Sequence, residues 1–258
     1  MPRVKLVLEY DGTNYVGWQI QPNGASIQGR VQMALGELLG APIQVVAAGR
    51  TDSGVHARGQ VIAFDSPKAL PMKAYWMGLN GLLPDDISVV KAEEVRDDFD
   101  PRRWSEGKRY RYLVSNRRTR SPLRRFTHWE IFQPLSVEPM AHAAKALLGK
   151  HDFTSFRGAE CQAAHAVREL RKVEVHGAPG DEVSFVFEGT AFLRHMVRNL
   201  VGTLIEVGRQ RQKPDWVAEV LAARDRTRAG MTAPPQGLCL EEVFYGAGPR
   251  DDKHDDDE

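Results

Sequence analysis

Strand-like and helical patterning run through this chain in two successive rounds, which confines it to the folds that pack helices against sheets. In the first round, residues 3–10 alternate toward a strand. A helix then opens at Ser26, a good N-cap, with Ile27, Val31, Leu35 and Leu38 along one face and Gly40 and Pro42 closing it. The runs IQVVAA and QVIAF read as strands, residues 72–83 as a helix and DISVVKAEEV as a strand. In the second round KRYRYLVSN is a strand, and SVEPMAHAAKALLG is a helix with Ser136 as cap and Gly149 as stop. RELRKVEVHG and EVSFVFEG are strands, a helix covers about 194–208, a short one runs from Pro214 at its first position to about Ala223, and LCLEEVFY is a strand. The division predicted is an N-terminal α+β half over 1–103, a C-terminal α+β half over 104–247 and a disordered acidic tail over 248–258.

With 258 residues and 42% hydrophobic content, the chain can bury a substantial core. Its two cysteines, Cys161 and Cys239, have neither the spacing nor the histidine company of a disulfide framework or zinc site, so a reducing cytoplasm is expected and no metal. Glu9 and Asp11 interrupt any signal-like core, and Arg198 and Glu206 break the apolar stretch 196–207, so no membrane association is expected.

The net charge of +1 conceals an asymmetry. The last eight residues, DDKHDDDE, carry six acids and one lysine, leaving 34 basic against 28 acidic side chains in residues 1–250. Residues 102–125 alone hold ten Lys or Arg against the single acid Glu106. Such a block suits a polyanionic partner, although a charge run can equally be a solvated face.

Between the first-round strands IQVVAA and QVIAF lies an 11-residue loop, Gly49–Gly59, too long for a tight hairpin and rich in glycine. It contains one acid, Asp52, with Arg50 two residues before it, which favours the charged carboxylate. An oriented carboxylate can act as nucleophile or general base. The same GRTD is also compatible with an Asx-turn and a surface ion pair, with His56 and Arg58 simply solvated. In KRYRYLV the strand period puts Tyr110 and Tyr112 on one face and Arg109 and Arg111 on the other, which suits base stacking beside phosphate contacts as well as it suits half-buried sheet tyrosines. Along FLRHMVRNLVGTLIEVG, Met196, Leu200, Thr203, Leu204 and Val207 form a buried stripe while Arg194 and Arg198, four apart, share another face.

The segments AGRTDSGVHARGQVIAF, LEYDGTNYVGWQ, KRYRY, DFTSF and HMVRNLVG make the chain resemble the tRNA pseudouridine synthase A family from about Val4 to Tyr245. That resemblance implies an isomerase that converts uridine to pseudouridine in the anticodon stem-loop of tRNA, at positions 38, 39 and 40, without a cofactor. It implies Asp52 as nucleophile, Tyr110 against the target uracil and Arg198 as the basic partner of Asp52. Arg50 and Arg58 would be substrate-binding cations, Leu238 an apolar residue below the base, and Phe99, Arg102 and Arg103 of FDPRRW part of an RNA-contacting stretch. The implied fold is α+β: two ferredoxin-like halves sharing a mixed, mainly antiparallel central sheet, with flanking helices and a central catalytic cleft, in a homodimer.

The chain departs from the family after Cys161, reading Ala163, Ala164 and His165 where a small polar and a basic residue before proline are usual. Two other classes compete for the same residues. A non-catalytic tRNA-binding or chaperone protein would not need Asp52, and an N-glycosidic hydrolase would release free uracil. A metal-dependent nuclease lacks its carboxylate cluster.

Overall fold

A computed structural model of the chain describes residues 1–159, 161–178, 180–246 and 248. In chain order it contains β1 (Arg3–Tyr10), α1 (Ile27–Leu39), β2 (Val46–Ala47), β3 (His56–Asp65), α2 (Met72–Leu82), β4 (Ile87–Val95) and β5 (Ser105–Ser115). There follow β6 (Trp129–Glu130), α3 (Val137–Ala144), β7 (Gly149–Asp152), β8 (Val167–Gly177), β9 (Glu182–Gly189), α4 (Met196–Gly208), α5 (Trp216–Ala223) and β10 (Leu238–Tyr245). The chain divides into two compact units, Met1–Glu106 with the segment from Cys239 onward, and Gly107–Leu238. The acidic tail expected over 248–258 lies, apart from Gly248, outside the described residues.

In the first unit the strand order is β4-β1-β3-β10, with β2 added against β3. β1 runs antiparallel to both β3 and β4, and its alternation sends Val4, Leu6, Leu8 and Tyr10 into the core. The pairing of β1 with β3 shifts register between Leu8 and Tyr10, so that Tyr10 faces Ala57. α1 forms where its sequence predicts: the Ser26 hydroxyl accepts from the Gly29 N–H at 3.2 Å, and Gly40 closes the helix with φ of 72°, a left-handed conformation in which glycine carries no Cβ penalty. It buries Ile27, Val31, Ala34, Leu35 and Leu39. Full burial of each large aliphatic side chain contributes about 1.5–3 kcal/mol. Leu38, expected on that face, is instead half-buried, against Gly78 of α2.

Three boundaries differ from the sequence reading. β2 is only two residues, and β3 begins at His56 rather than Gln60, so the connection is shorter than the predicted loop and Arg58 is a strand residue. β10 pairs in parallel with β3, Cys239 opposite His56, which groups it with the N-terminal unit and not with the C-terminal half expected over 104–247.

In the second unit β5, β9, β8 and β7 follow one another antiparallel, and β6 adds in parallel to β5 at Val114 and Trp129. Each unit is therefore α+β with mixed but mainly antiparallel strands. α4 is buried almost all round, including Leu200, Val201, Leu204 and Ile205, as befits a core helix. Ser136 does not cap α3 through its side chain; its hydroxyl accepts from Gln210 Nε2 at 2.9 Å instead. α3 gives way to a 3-10 turn, Lys145–Leu147, before Gly149. Pro214 stands two residues ahead of α5, whose N-cap is Asp215. No helix of the described residues is long and apolar enough to cross a membrane.

Candidate active site

In the first unit the chain from Ala48 to Val55 is tied at nearly every peptide. Ala48 N–H donates to Val61 O at 2.9 Å, and Gln60, wholly buried, donates from Nε2 to Gly49 O at 2.8 Å. Trp18 N–H donates to Thr51 O at 3.0 Å, and the Tyr10 and Thr51 hydroxyls share a buried hydrogen bond of 2.8 Å. Val55 N–H returns to Asp52 O at 3.1 Å, while Tyr15 O accepts from both Gly54 N–H (3.3 Å) and Ser53 Oγ (3.1 Å). The Tyr15 phenol is itself anchored, donating to Asp86 at 2.5 Å. Segment 10–18 thus forms a cradle beneath the loop. Gly17 lies so close under it, with φ of 108°, that a Cβ there would be 2.7 Å from Thr51 O. Asp52 emerges half-buried from the middle of this fixed turn.

His56 is buried, not solvated as the sequence allowed: its Nδ1 lies 3.1 Å from Gly12 N and 3.0 Å from an Asp11 carboxylate oxygen. Arg50 is exposed, and Arg58 is exposed on β3 with its guanidinium 3.6 Å from Glu241. Phe99, expected to touch substrate, is a core residue, because Trp104, Tyr245 and Ala63 close over its ring. It anchors a turn in which the Asp100 carboxylate accepts from the N–H groups of Arg102 (2.8 Å) and Arg103 (2.9 Å), leaving Arg102 half-buried and Arg103 exposed.

In the second unit Tyr110 and Tyr112 alternate inward on β5 between outward Arg109 and Arg111. Tyr110 is edge-on to Phe192 at 5.0 Å, and Tyr112 is fully buried with its hydroxyl donating to Pro234 O at 2.7 Å. Burial pushes the Tyr112 phenol well above its usual range, against the opposing pull of the Arg198 charge. Arg198 lies on α4, half-buried, and is clipped to Ala233 twice: its Nε donates to Ala233 O at 2.7 Å and its carbonyl accepts from Ala233 N–H at 3.1 Å. Arg194 does not share this helix face, because α4 starts only at Met196; Arg194 reaches Ala159 O at 3.3 Å.

Below Arg198 runs a network that the sequence reading missed. Asn199, wholly buried, accepts at Oδ1 from Arg226 (3.0 Å) and Thr232 (2.6 Å) and donates to Phe156 O at 2.8 Å. Arg226 also donates to Gly230 O at 2.9 Å, fixing the whole 226–233 loop that meets Arg198. An Asn–Thr pair four apart on the buried side of a mostly apolar helix was the available signal. Leu238 is buried, directly after Gly237, where any Cβ would strike the Tyr112 ring at 2.6 Å.

The basic block is partly spent on structure. Arg109 pairs with Glu188 across the β5–β9 ladder at 3.0 Å, and Arg124 reaches Asp181 at 3.2 Å, whereas Arg117, Arg118 and Arg120 are exposed. Of the divergent segment, Cys161 O and Ala163 O both accept from Arg157, at 2.5 and 2.7 Å. Among the described residues, no three His, Cys, Asp or Glu are grouped to hold a metal ion.

The family model described as tRNA pseudouridine synthase matches residues 6–102 and 143–246. The chain belongs to that family. Its relatives include the tRNA pseudouridine synthase A of Myxococcus xanthus, 70% identical over 96% of this chain and 94% of that protein. Those of Geotalea uraniireducens (47%) and Geobacter sulfurreducens (48%) each align over 95% of this chain and their entire length. Membership of the tRNA pseudouridine synthase family places the chain among isomerases. A solved Cbf5-Nop10-Gar1 complex overlays 92% of this chain and 57% of its own with a TM-score of 0.39 and 13% identity, too distant to bear on the site.

Proposed function

We propose that the protein isomerises uridine to pseudouridine in the anticodon stem-loop of tRNA, at positions 38, 39 and 40, with Asp52 as nucleophile. The observation that supports this most is the Asp52 loop: the loop's single acid, half-buried, on a backbone pinned on both sides, within the GRTDSGVHA motif of a family member. Uridine must lose its C1'–N1 bond, turn, and form C5–C1'. N1 ends with a proton and C5 loses one, so the reaction balances without a cofactor. Asp52 as the carboxylate can add to C1' or C6, or take the 2' proton toward a glycal.

Tyr110 is assigned to lie against the uracil while it turns and to accept the C5 proton, directly or through water; Arg198 is the cation assigned to Asp52. Leu238 is assigned below the base, and Arg50, Arg58, Arg102 and Arg103 to the RNA, with Phe99 supporting the last two from the core. Withdrawing the target from its stack costs a few kcal/mol, which contacts from exposed arginines to flanking phosphates offset. We assign the protein to the cytoplasm as a homodimer.

The test is tRNA carrying tritium at uridine C5, because only attachment of C5 to the sugar must expel that label. Release by wild type and none by folded Asp52→Asn is the expected result. Folded wild type that binds tRNA but releases nothing would favour a non-catalytic tRNA-binding protein, and free uracil would mean a hydrolase.

A further inference from the structure

The contacts that fix the Asp52 loop differ in kind. Most are backbone to backbone, and substitution leaves them intact. The buried Tyr10 hydroxyl reaches the loop's Thr51 hydroxyl, and the buried Gln60 amide reaches its Gly49 O. Tyr10 closes β1 at the register shift after Leu8; such irregularities bend a strand and re-aim its side chains. Its ring packs at 6.3 Å from Trp18, whose own N–H holds Thr51 O. Tyr10 is 3% exposed and Thr51 7%, so water does not replace the bond between them. Thr51 is consequently held at both ends, carbonyl by Trp18 and hydroxyl by Tyr10, immediately before Asp52.

We propose that Tyr10 is a positioning residue for catalysis: through the Thr51 hydroxyl it fixes the peptide that aims Asp52, and it touches no substrate. The proposal rests on Asp52 being the nucleophile. A misaim on the order of an ångström can cost about a hundredfold in rate, and one lost hydrogen bond in an otherwise pinned loop permits a smaller error. The loss belongs in kcat, since the loop's cations and the tRNA surface are untouched. Burial holds the Tyr10 phenol well above its usual range, so it stays neutral throughout the working pH range.

The experiment compares wild type with Tyr10→Phe, Thr51→Val, Thr51→Ser and the double variant Tyr10→Phe/Thr51→Val by tritium release under saturating and limiting tRNA, with tRNA binding and thermal unfolding measured on each. The expected result is a roughly tenfold fall in kcat for Tyr10→Phe and for Thr51→Val, with KM and tRNA binding within about twofold. The double variant should be no worse than Tyr10→Phe, whose lost hydroxyl takes with it the Thr51 bond as well as a contact with Gln60, and Thr51→Ser should recover most of the Thr51→Val loss. Unchanged kcat in folded Tyr10→Phe, losses that multiply in the double variant, or a change confined to KM would each overturn the proposal. Asp52→Asn is run alongside: if it keeps releasing label the nucleophile reading itself fails, whereas its inactivity beside a fully active Tyr10→Phe sinks only the positioning role.

Discussion

Around Asp52 the first unit works with neutral groups: peptide N–H donors, an amide from Gln60 and two hydroxyls. Around Arg198 the second unit uses a half-buried guanidinium, Arg226, whose donors are shared among Asn199, Thr232 and Gly230 O. Neutral anchors fix the backbone around Asp52 with dipoles in place of full charges. A charged anchor holds a longer loop, but removing one acceptor leaves a cation short of partners in a low-dielectric setting. The first arrangement should fail in rate and the second in stability.

The largest effect should come from Asp52→Asn, with label release falling by on the order of a thousandfold or more while the melting temperature stays within a few degrees. Asn199→Leu should destabilise by about 2–4 kcal/mol, because it takes one acceptor each from Arg226 and Thr232 and the donor from Phe156 O; calorimetry should show a fall of about 2–4 °C per kcal/mol. Tyr10→Phe should cost only about 1 kcal/mol. If Asn199→Leu proves no worse than Tyr10→Phe, the contrast between charged and neutral anchoring does not hold.

A third expectation concerns alkali. Tyr10 and Tyr112 both have phenols raised by burial, so the folded state keeps their protons longer than the unfolded chain does. Their stabilisation is fully present below about pH 10 and is lost as pH rises above it, by up to about 1.4 kcal/mol per pH unit for each. Denaturant midpoints between pH 9 and 11 should fall less steeply in Tyr10→Phe than in wild type; parallel curves would contradict it. The smallest effect is that of Arg58→Ala, whose exposed contact with Glu241 is worth at most about 1 kcal/mol. A marked loss of tRNA affinity with unchanged stability would assign that arginine to the RNA.

Local signals carried much of the fold. The Ser26 cap and Gly40 stop bound α1, and the alternation through Val4, Leu6, Leu8 and Tyr10 marks β1. What stayed hidden was non-local. Nothing near residues 56–59 announces a strand, because the start of β3 is stabilised by Cys239 and Leu240, far along the chain. Phe99 in FDPRRW looks like an exposed neighbour of arginines until Trp104 and Tyr245 fold over it. The motif around Asp52 was legible, yet the partners that hold it were not: Tyr10 reads as an ordinary strand tyrosine, and only tertiary pairing places its hydroxyl on Thr51.

The parallel pairing of β10 with β3 has a consequence for how the protein comes off the ribosome. The first unit is emitted early but lacks its last strand until Cys239–Tyr245 has left the exit tunnel, a delay on the order of ten seconds at ordinary elongation rates. Throughout that interval one edge of β3 near His56 has no strand beside it, a few residues from the loop that carries Asp52. The nascent chain therefore gains a finished Asp52-bearing unit only near the end of translation, and a ribosome stalled before residue 239 would hold a product without it.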